Sequence, residues 1–326
     1  MNILIVGAGA VGLVYGHCFQ QAGHSVTFFI KEKHRATLNQ GVTLVRKRRL
    51  WRDNVSQFSD FSLISDWQAV GKQQWDQVLL AIPSDALRQL PFDSIYRAIC
   101  DATLVMLQPS EEDSRLLLRF WPASQVVRGM INLISYYHPL PGETPVASAT
   151  PLSIAWFLPP TAMPLSGDKA RLDDVLSLFN GSGIYSKSVA NALASSRLPN
   201  AVLMTFLCAL DASDWRFAQL RSDRTLLALL VAAQKDLLEA LAANEAPQEQ
   251  KAMKRAAGLL GYWPYRMILG LAPLALPFSL EAYLREHFTK VRSQTDLYVQ
   301  DFRRHCDSVH LAQLHQRAFV DIQTVS

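Results

Sequence analysis

Residues 1–12 read Met1-Asn-Ile-Leu-Ile-Val-Gly-Ala-Gly-Ala-Val-Gly12, and this stretch decides the fold class. The unbroken apolar run Ile3 to Val6 fits a strand buried on both faces, as in the centre of a parallel sheet. It runs into Gly7-x-Gly9-x-x-Gly12, after which Val11 to Ala22 reads as a helix and Ser25 to Ile30 as a second strand. The three glycines serve different ends. Gly7 allows a tight turn, Gly9 lets backbone approach a pyrophosphate, and Gly12 lets helix and strand pack closely. Phosphates favour such a helix N-terminus, where free N–H groups and the helix dipole attract anions. A glycine-rich packing turn is the alternative, but strand, helix and second strand all fall where a dinucleotide fingerprint requires. The expected cradle is Gly7, Ala8, Gly9, Ala10, Val11 and Gly12.

The end of the second strand separates the two phosphorylation states of a nicotinamide cofactor. NAD sites place Asp or Glu there, about 20 residues beyond the glycines, to bond the ribose 2′-hydroxyl. This chain has Ile30-Lys31-Glu32-Lys33-His34-Arg35. Lys31, with Lys33 and Arg35 behind it, suits a 2′-phosphate that a carboxylate would repel. Glu32 would reach the ribose if the strand ended one residue later. The expectation is NADPH/NADP+, with Lys31 on the 2′-phosphate.

The 326 residues suffice for two domains and a large core. A hydrophobic share of 49% against 18% charged excludes a disordered chain. The net charge of +4 does not by itself imply a nucleic-acid partner. Arg46-Lys47-Arg48-Arg49, followed by Trp51 and Arg52, could bind phosphates or a membrane surface. It is expected as the solvated tip of a hairpin joining Val42–Val45 to Leu50–Val55. The four cysteines are scattered without a Cys-x-x-Cys pair, which fits reduced thiols in a cytoplasm. No apolar run reaches the 18 or so residues a bilayer span needs, since Met267 to Leu280 is interrupted by Pro273 and Pro277. Neither a nucleic acid nor a membrane is therefore expected as a partner.

Further along, Gln77–Ile82, Thr103–Leu107 and Val126–Ile131 read as strands, and Asp85–Ile99 and Glu111–Phe120 as helices. This alternation argues a parallel, doubly wound α/β sheet, a Rossmann-type domain, whose ligands bind outside the carboxyl ends of the strands. Ser84, Asp85, Gln108 and Asn132 would approach the cofactor. Extended stretches around one helix, Lys169–Phe179, fill 148–186, and beyond Ser188 the pattern is almost wholly helical. Helices are expected at Leu226–Asn244, Pro247–Leu260 and Leu280–His305. The expected domains are 1–187, binding the dinucleotide, and 188–326, an all-helical domain for substrate and for dimerisation, with the active site between them.

The glycine region, the basic second-strand end and the helical second half together resemble the ketopantoate reductase family over nearly the whole chain. The resemblance implies reduction of a 2-keto acid, a small-molecule carbonyl substrate, by NADPH. It also implies a lysine and two asparagines, at intervals of four, on one face of the first helix of the second domain. Aligned on Leu207–Leu210, those positions hold Arg197, Ala201 and Thr205. Arginine can anchor a carboxylate or polarise a carbonyl but does not readily donate a proton. The family's Asn-Gly motif appears as Gln108-Pro109, its lysine after the preceding strand as Ser84, and its serine loop as Ser293-Gln-Thr-Asp296. Arg197, Thr205, Ser293 and Asn200 are the catalytic candidates. Ile82-Pro83-Ser84 also resembles the glycerol-3-phosphate dehydrogenase group.

Other constellations offer alternatives. Lys187, Asn191 and Ser195 repeat the family's spacing earlier in the chain. His138, beside Pro139, could act as a general acid if it faced a cleft. His305, His310 and His315 advance about 500° per step on a helix and would not share a face, so no metal is expected. The competing function is NADP(H) binding without turnover, by a sensor or interaction protein. A homodimer through Leu226–Ala243 is also allowed.

Overall fold

The computed structural model describes residues 1–319 apart from Ser148 and Asn244. It divides into two compact units, Met1–Leu193 and Ala194–Ser326. In chain order the first carries β1 (Asn2–Val6), α1 (Ala10–Gln21), β2 (Ser25–Phe29), α2 (Arg35–Leu38), β3 (Val42–Arg46), β4 (Asn54–Phe58), β5 (Ser62–Ile64) and α3 (Trp67–Val70). There follow β6 (Gln77–Leu80), α4 (Ser84–Leu87), α5 (Phe92–Ile99), β7 (Thr103–Met106), α6 (Glu111–Leu117), β8 (Val126–Gly129) and β9 (Ile134–Tyr137). The remainder is β10 (Ser153–Phe157), β11 (Met163–Ser166), α7 (Lys169–Gly181) and β12 (Ser186–Ser188).

An eight-stranded sheet in the order β12-β11-β8-β7-β6-β1-β2-β5 forms the unit's centre. Ile3 and Ile5 face one layer with α1 and α7, whereas Leu4 and Val6 face the other with α5. Burial on both faces is why β1, β6 and β7 are continuous apolar runs rather than alternating ones. β11 runs antiparallel to β8, a reversal the expected all-parallel sheet lacks. A second sheet, β4-β3-β10-β9, is also outside the expectation, because distant segments contribute its strands. The hairpin is longer than expected: Arg46 pairs with Asn54, so residues 47–53 form its loop.

The expected helix over Asp85–Ile99 is two, since Pro91 precedes α5 and cannot supply a helical N–H.

The second unit consists of α8 (Ala192–Asp211, begun in the first unit), α9 (Phe217–Ser222), α10 (Arg224–Ala242), α11 (Pro247–Leu259) and α12 (Tyr262–Leu271). It ends with α13 (Leu280–Lys290), α14 (Arg292–Arg303) and α15 (Val309–Phe319). α10 is its core helix: Leu226, Leu227, Leu230, Leu237 and Leu238 are buried among α8, α14 and α15 residues. That corrects the reading of Leu226–Ala243 as a dimer surface. The single long helix over Leu280–His305 is also interrupted, at Val291, which leaves helical dihedrals with no glycine or proline to mark it. α8 is long and apolar enough to cross a membrane, and 56% of that stretch is buried within the chain.

Candidate cofactor site

The glycine turn leaves β1 at Gly7, whose φ of +106° favours glycine. A Cβ on Gly7 would stand 2.6 Å from the Ile82 side chain and 2.8 Å from the Ala81 carbonyl. A Cβ on Gly12 would collide with the Gly7 carbonyl oxygen, so two glycines interlock turn, helix and β6. Gly9 differs. Nothing lies within 4 Å of where its Cβ would be, which leaves room for a ligand against the backbone.

Gly9 is also the N-cap of α1, in extended conformation and without a side-chain cap. The first turn carries no acidic residue. Four N–H groups at a helix start lack intrahelical partners. Here no side chain caps them, and their positive field faces an open cradle. The arrangement fits a pyrophosphate.

At the end of β2 the charges sort themselves. Glu32 takes a hydrogen bond from Arg35 Nε at 2.7 Å, and this contact holds its carboxyl below the usual range. Arg35 also donates to the Leu63 carbonyl and the Ser65 hydroxyl, both at 3.2 Å. Arg35, grouped with the free cations by sequence, is therefore committed, and Glu32 is drawn away with it. The i, i+3 spacing of Glu32 and Arg35 is the signal for this pair. Lys31 is exposed and its ammonium has no partner among the described residues.

At the carboxyl ends of β6 and β7, Gln108 donates through Nε2 to the Leu80 and Ile82 carbonyls, at 3.1 and 2.7 Å. Its buried Oε1 has no acceptor role filled among the described residues. Ser84 is wholly buried at the start of α4. Asn132 spends its amide hydrogens on Thr161 and Tyr185 carbonyls, at 3.2 Å each, and ties loops together.

The second unit's candidates are disposed differently. Arg197 pairs with the nearly buried carboxylate of Glu245, so its charge is already answered. Thr205, expected to meet substrate, is a core residue. Its hydroxyl donates to the Ala201 carbonyl at 2.7 Å and accepts from Gln234 Nε2 at 3.0 Å. Gln234 in turn accepts from the Tyr265 hydroxyl at 2.6 Å, and burial pushes that phenol up to about 12. Ser293 lies exposed in the first turn of α14. Asn200 is 8% exposed, follows Pro199 within α8, and its amide has no hydrogen-bond partner among the described residues.

Lys187 pairs with Pro164 in strand β12, so it shares no helix face with Asn191 and Ser195. His138 is buried beside Ser153, 3.8 Å from Glu143, and burial lowers its pKa. His310 and His315 bond different acids, Asp236 at 2.8 Å and Asp296 at 2.5 Å. The basic loop is not uniformly solvated: Lys47 bridges Asp53 at 3.0 Å and Glu143 at 2.9 Å, whereas Leu50 and Trp51 stand exposed. All four cysteines are free.

With this geometry in place, comparison with known proteins is informative. Residues 3–144 match the model of the family ketopantoate reductase PanE/ApbA. Over these residues the chain is similar to this family. Solved structures share the fold over nearly their whole lengths. A 2-dehydropantoate 2-reductase from Geobacter metallireducens GS-15 is 16% identical, with TM-score 0.62 over 98% of this chain and 99% of its own. A D-mandelate dehydrogenase, in ternary complex with NADH and anilino(oxo)acetate, is 12% identical, with TM-score 0.68 over 99% of each chain. The 2-dehydropantoate 2-reductase from Methylococcus capsulatus is 14% identical, with TM-score 0.58 over 100% of this chain and 98% of its own. No curated protein matches the chain.

Proposed function

We propose that the chain is an NADPH-dependent oxidoreductase that reduces a small carbonyl compound, by preference a 2-keto acid, to the hydroxy compound. The observation that carries this reading is the end of β2, where Lys31 stands free and exposed while Glu32 is held by Arg35. A free ammonium there favours a 2′-phosphate, and the one carboxylate that would favour NADH is occupied. The reaction class is supported by the family match of residues 3–144 and by the 2-keto character of the ligand in the D-mandelate dehydrogenase complex. That complex contains NADH, so the cofactor preference argued here is this chain's own.

Bound NADPH would supply the hydride. The N–H groups at the start of α1 would hold the pyrophosphate, with Gly9 giving the backbone room to approach. Gln108 Oε1, fixed by the two bonds of its Nε2, would accept a hydrogen bond from the cofactor. Asn200 would donate to a substrate oxygen, since its amide makes no hydrogen bond among the described residues and is free to do so. Arg197 would bind a substrate carboxylate in exchange for Glu245, and Ser293 would add a hydroxyl. We place the protein in the cytoplasm, in keeping with its free thiols.

Fluorescence titration with NADPH and NADH, followed by a panel of 2-keto acids that includes ketopantoate, tests the proposal. NADPH should bind at least about tenfold more tightly and be oxidised when the right keto acid is added. Tighter binding of NADH would overturn the cofactor assignment. Tight NADPH binding with no oxidation across the panel would overturn the enzymatic one.

A further inference from the structure

The hairpin between β3 and β4 carries a cluster that the proposed chemistry leaves unused. Residues 46–53 read Arg46-Lys-Arg-Arg-Leu-Trp-Arg-Asp53. Arg46 pairs with Asn54 across the two strands, so residues 47–53 form the tip.

The base of this tip is tied down. Lys47 Nζ reaches Asp53 Oδ2 at 3.0 Å and Glu143 Oε1 at 2.9 Å. The Arg48 backbone N–H donates to Asp53 Oδ1 at 3.3 Å. Glu143 also accepts from the Tyr136 hydroxyl at 2.8 Å and from the Leu140 N–H at 2.9 Å. Both carboxylates are thereby spent. Arg48, Arg49 and Arg52 are exposed, and their guanidinium groups have no carboxylate partner among the described residues.

Among these cations Leu50 and Trp51 stand at 86% and 77% exposure, the highest values of any large apolar side chains among the described residues. A hairpin tip is ordinarily built from polar residues and glycine, so neither is needed to make the turn.

We propose that this tip docks on an anionic lipid bilayer, with Arg48, Arg49 and Arg52 at the headgroup phosphates and Leu50 and Trp51 in the headgroup–acyl boundary. The combination of side chains selects the occupant. Single-stranded nucleic acid would stack on Trp51 and pair with the arginines, but has no use for Leu50, the more exposed of the two. An acidic peptide answers the arginines alone. A bilayer engages all five: the leucine gains burial, the indole settles at the interface, and the guanidinium groups stay level with the phosphates. The cytoplasmic leaflet supplies the complementary negative potential. The expectation of no membrane partner rests on the lack of a spanning run, and a surface contact needs none.

Co-sedimentation of the full-length protein with vesicles tests the proposal. Vesicles of roughly three parts phosphatidylcholine to one part phosphatidylglycerol should take up the protein at least about tenfold more strongly than phosphatidylcholine alone. Raising the salt from about 0.1 to about 0.5 M should reverse most of that gain. Changing Arg48→Gln, Arg49→Gln and Arg52→Gln together should weaken uptake by about 100-fold, at about fivefold for each cation near the surface. Leu50→Ser with Trp51→Ser should weaken it by about tenfold or more at any salt. Both variants should melt with the wild type, because the changed side chains are exposed. Equal uptake by the two kinds of vesicle, uptake by neither, or undiminished uptake of the arginine variant would overturn the proposal. So would tighter binding of a single-stranded oligouridylate than of the anionic vesicles, if Leu50→Ser leaves it intact.

Discussion

The glycine turn of the first unit and helix α8 of the second are both short segments that sequence singles out, and they are opposite kinds of object. In the turn, the groups that matter are left over: first-turn N–H groups without a cap, open space at Gly9, a free Lys31. In α8, most polar groups are spent. Arg197 is held by Glu245, and Thr205 by Ala201 and Gln234. Asn200, 8% exposed, makes no side-chain hydrogen bond among the described residues. A candidate residue therefore has to be judged by what it still has to give, and spacing alone does not report that.

The comparison breaks first, and with the largest effect, at the glycines. Gly12→Val should abolish NADPH binding and lower the melting temperature by several degrees. Its side chain would meet the backbone carbonyl of Gly7, and overpacking of even yielding neighbours costs about 1–3 kcal/mol. Gly9→Ala should melt like the wild type and yet lose NADPH affinity by about tenfold or more, because its methyl enters empty space. If Gly9→Ala binds NADPH normally, the open cradle is not where the phosphates sit.

Next comes the contrast within α8. Thr205→Val should destabilise by about 1–3 kcal/mol, since Gln234 Nε2 keeps only the Val202 carbonyl, and turnover by the folded fraction should be unchanged. Asn200→Ala should do the reverse, leaving the melting temperature unaltered or raised while lowering kcat by about 10²-fold or more. Equal behaviour of the two variants would remove the distinction between spent and available groups.

Lys31→Glu is smaller again. It should reduce the preference for NADPH over NADH by about 10–100-fold, read from paired titrations, with no change in stability. Retained preference would move the 2′-phosphate contact elsewhere.

The legibility of this chain follows the same division. β1, the turn and α1 are readable because glycine is demanded by local backbone geometry and local packing, and local demands are written locally. The parallel core strands are readable for a similar reason: burial on both faces enforces continuous apolar runs at Ile3–Val6 and Val78–Leu80. The second sheet is hidden because β3 and β10 pair across more than a hundred residues, and no short-range pattern encodes that partnership. The break at Val291 is hidden because nothing in its side chain forbids a helix. Thr205 misleads for the deepest reason: its partner Gln234 lies on another helix, and hydroxyls that face substrate or core look alike in sequence.

The smallest expected effect concerns pH, and it sharpens the comparison at the level of whole units. His17 and His138 in the first unit and His287 in the second all have lowered pKa values, each chiefly because burial disfavours the charged ring. For His287 the value falls from 6.5 to about 4, with Lys290 adding repulsion. The unfolded chain therefore binds protons at these sites where the folded chain does not. Stability is then fully present above about pH 6.5 and is lost as pH falls from there toward 4. Thermal melts across that window should show a decline of a few degrees. His287→Phe keeps a ring against Tyr283 and removes the titrating group, so it should flatten the part of the decline that belongs to the second unit. If the variant's profile superimposes on the wild type's, the acid sensitivity resides in the first unit, where His17, His24 and His138 all have lowered pKa values.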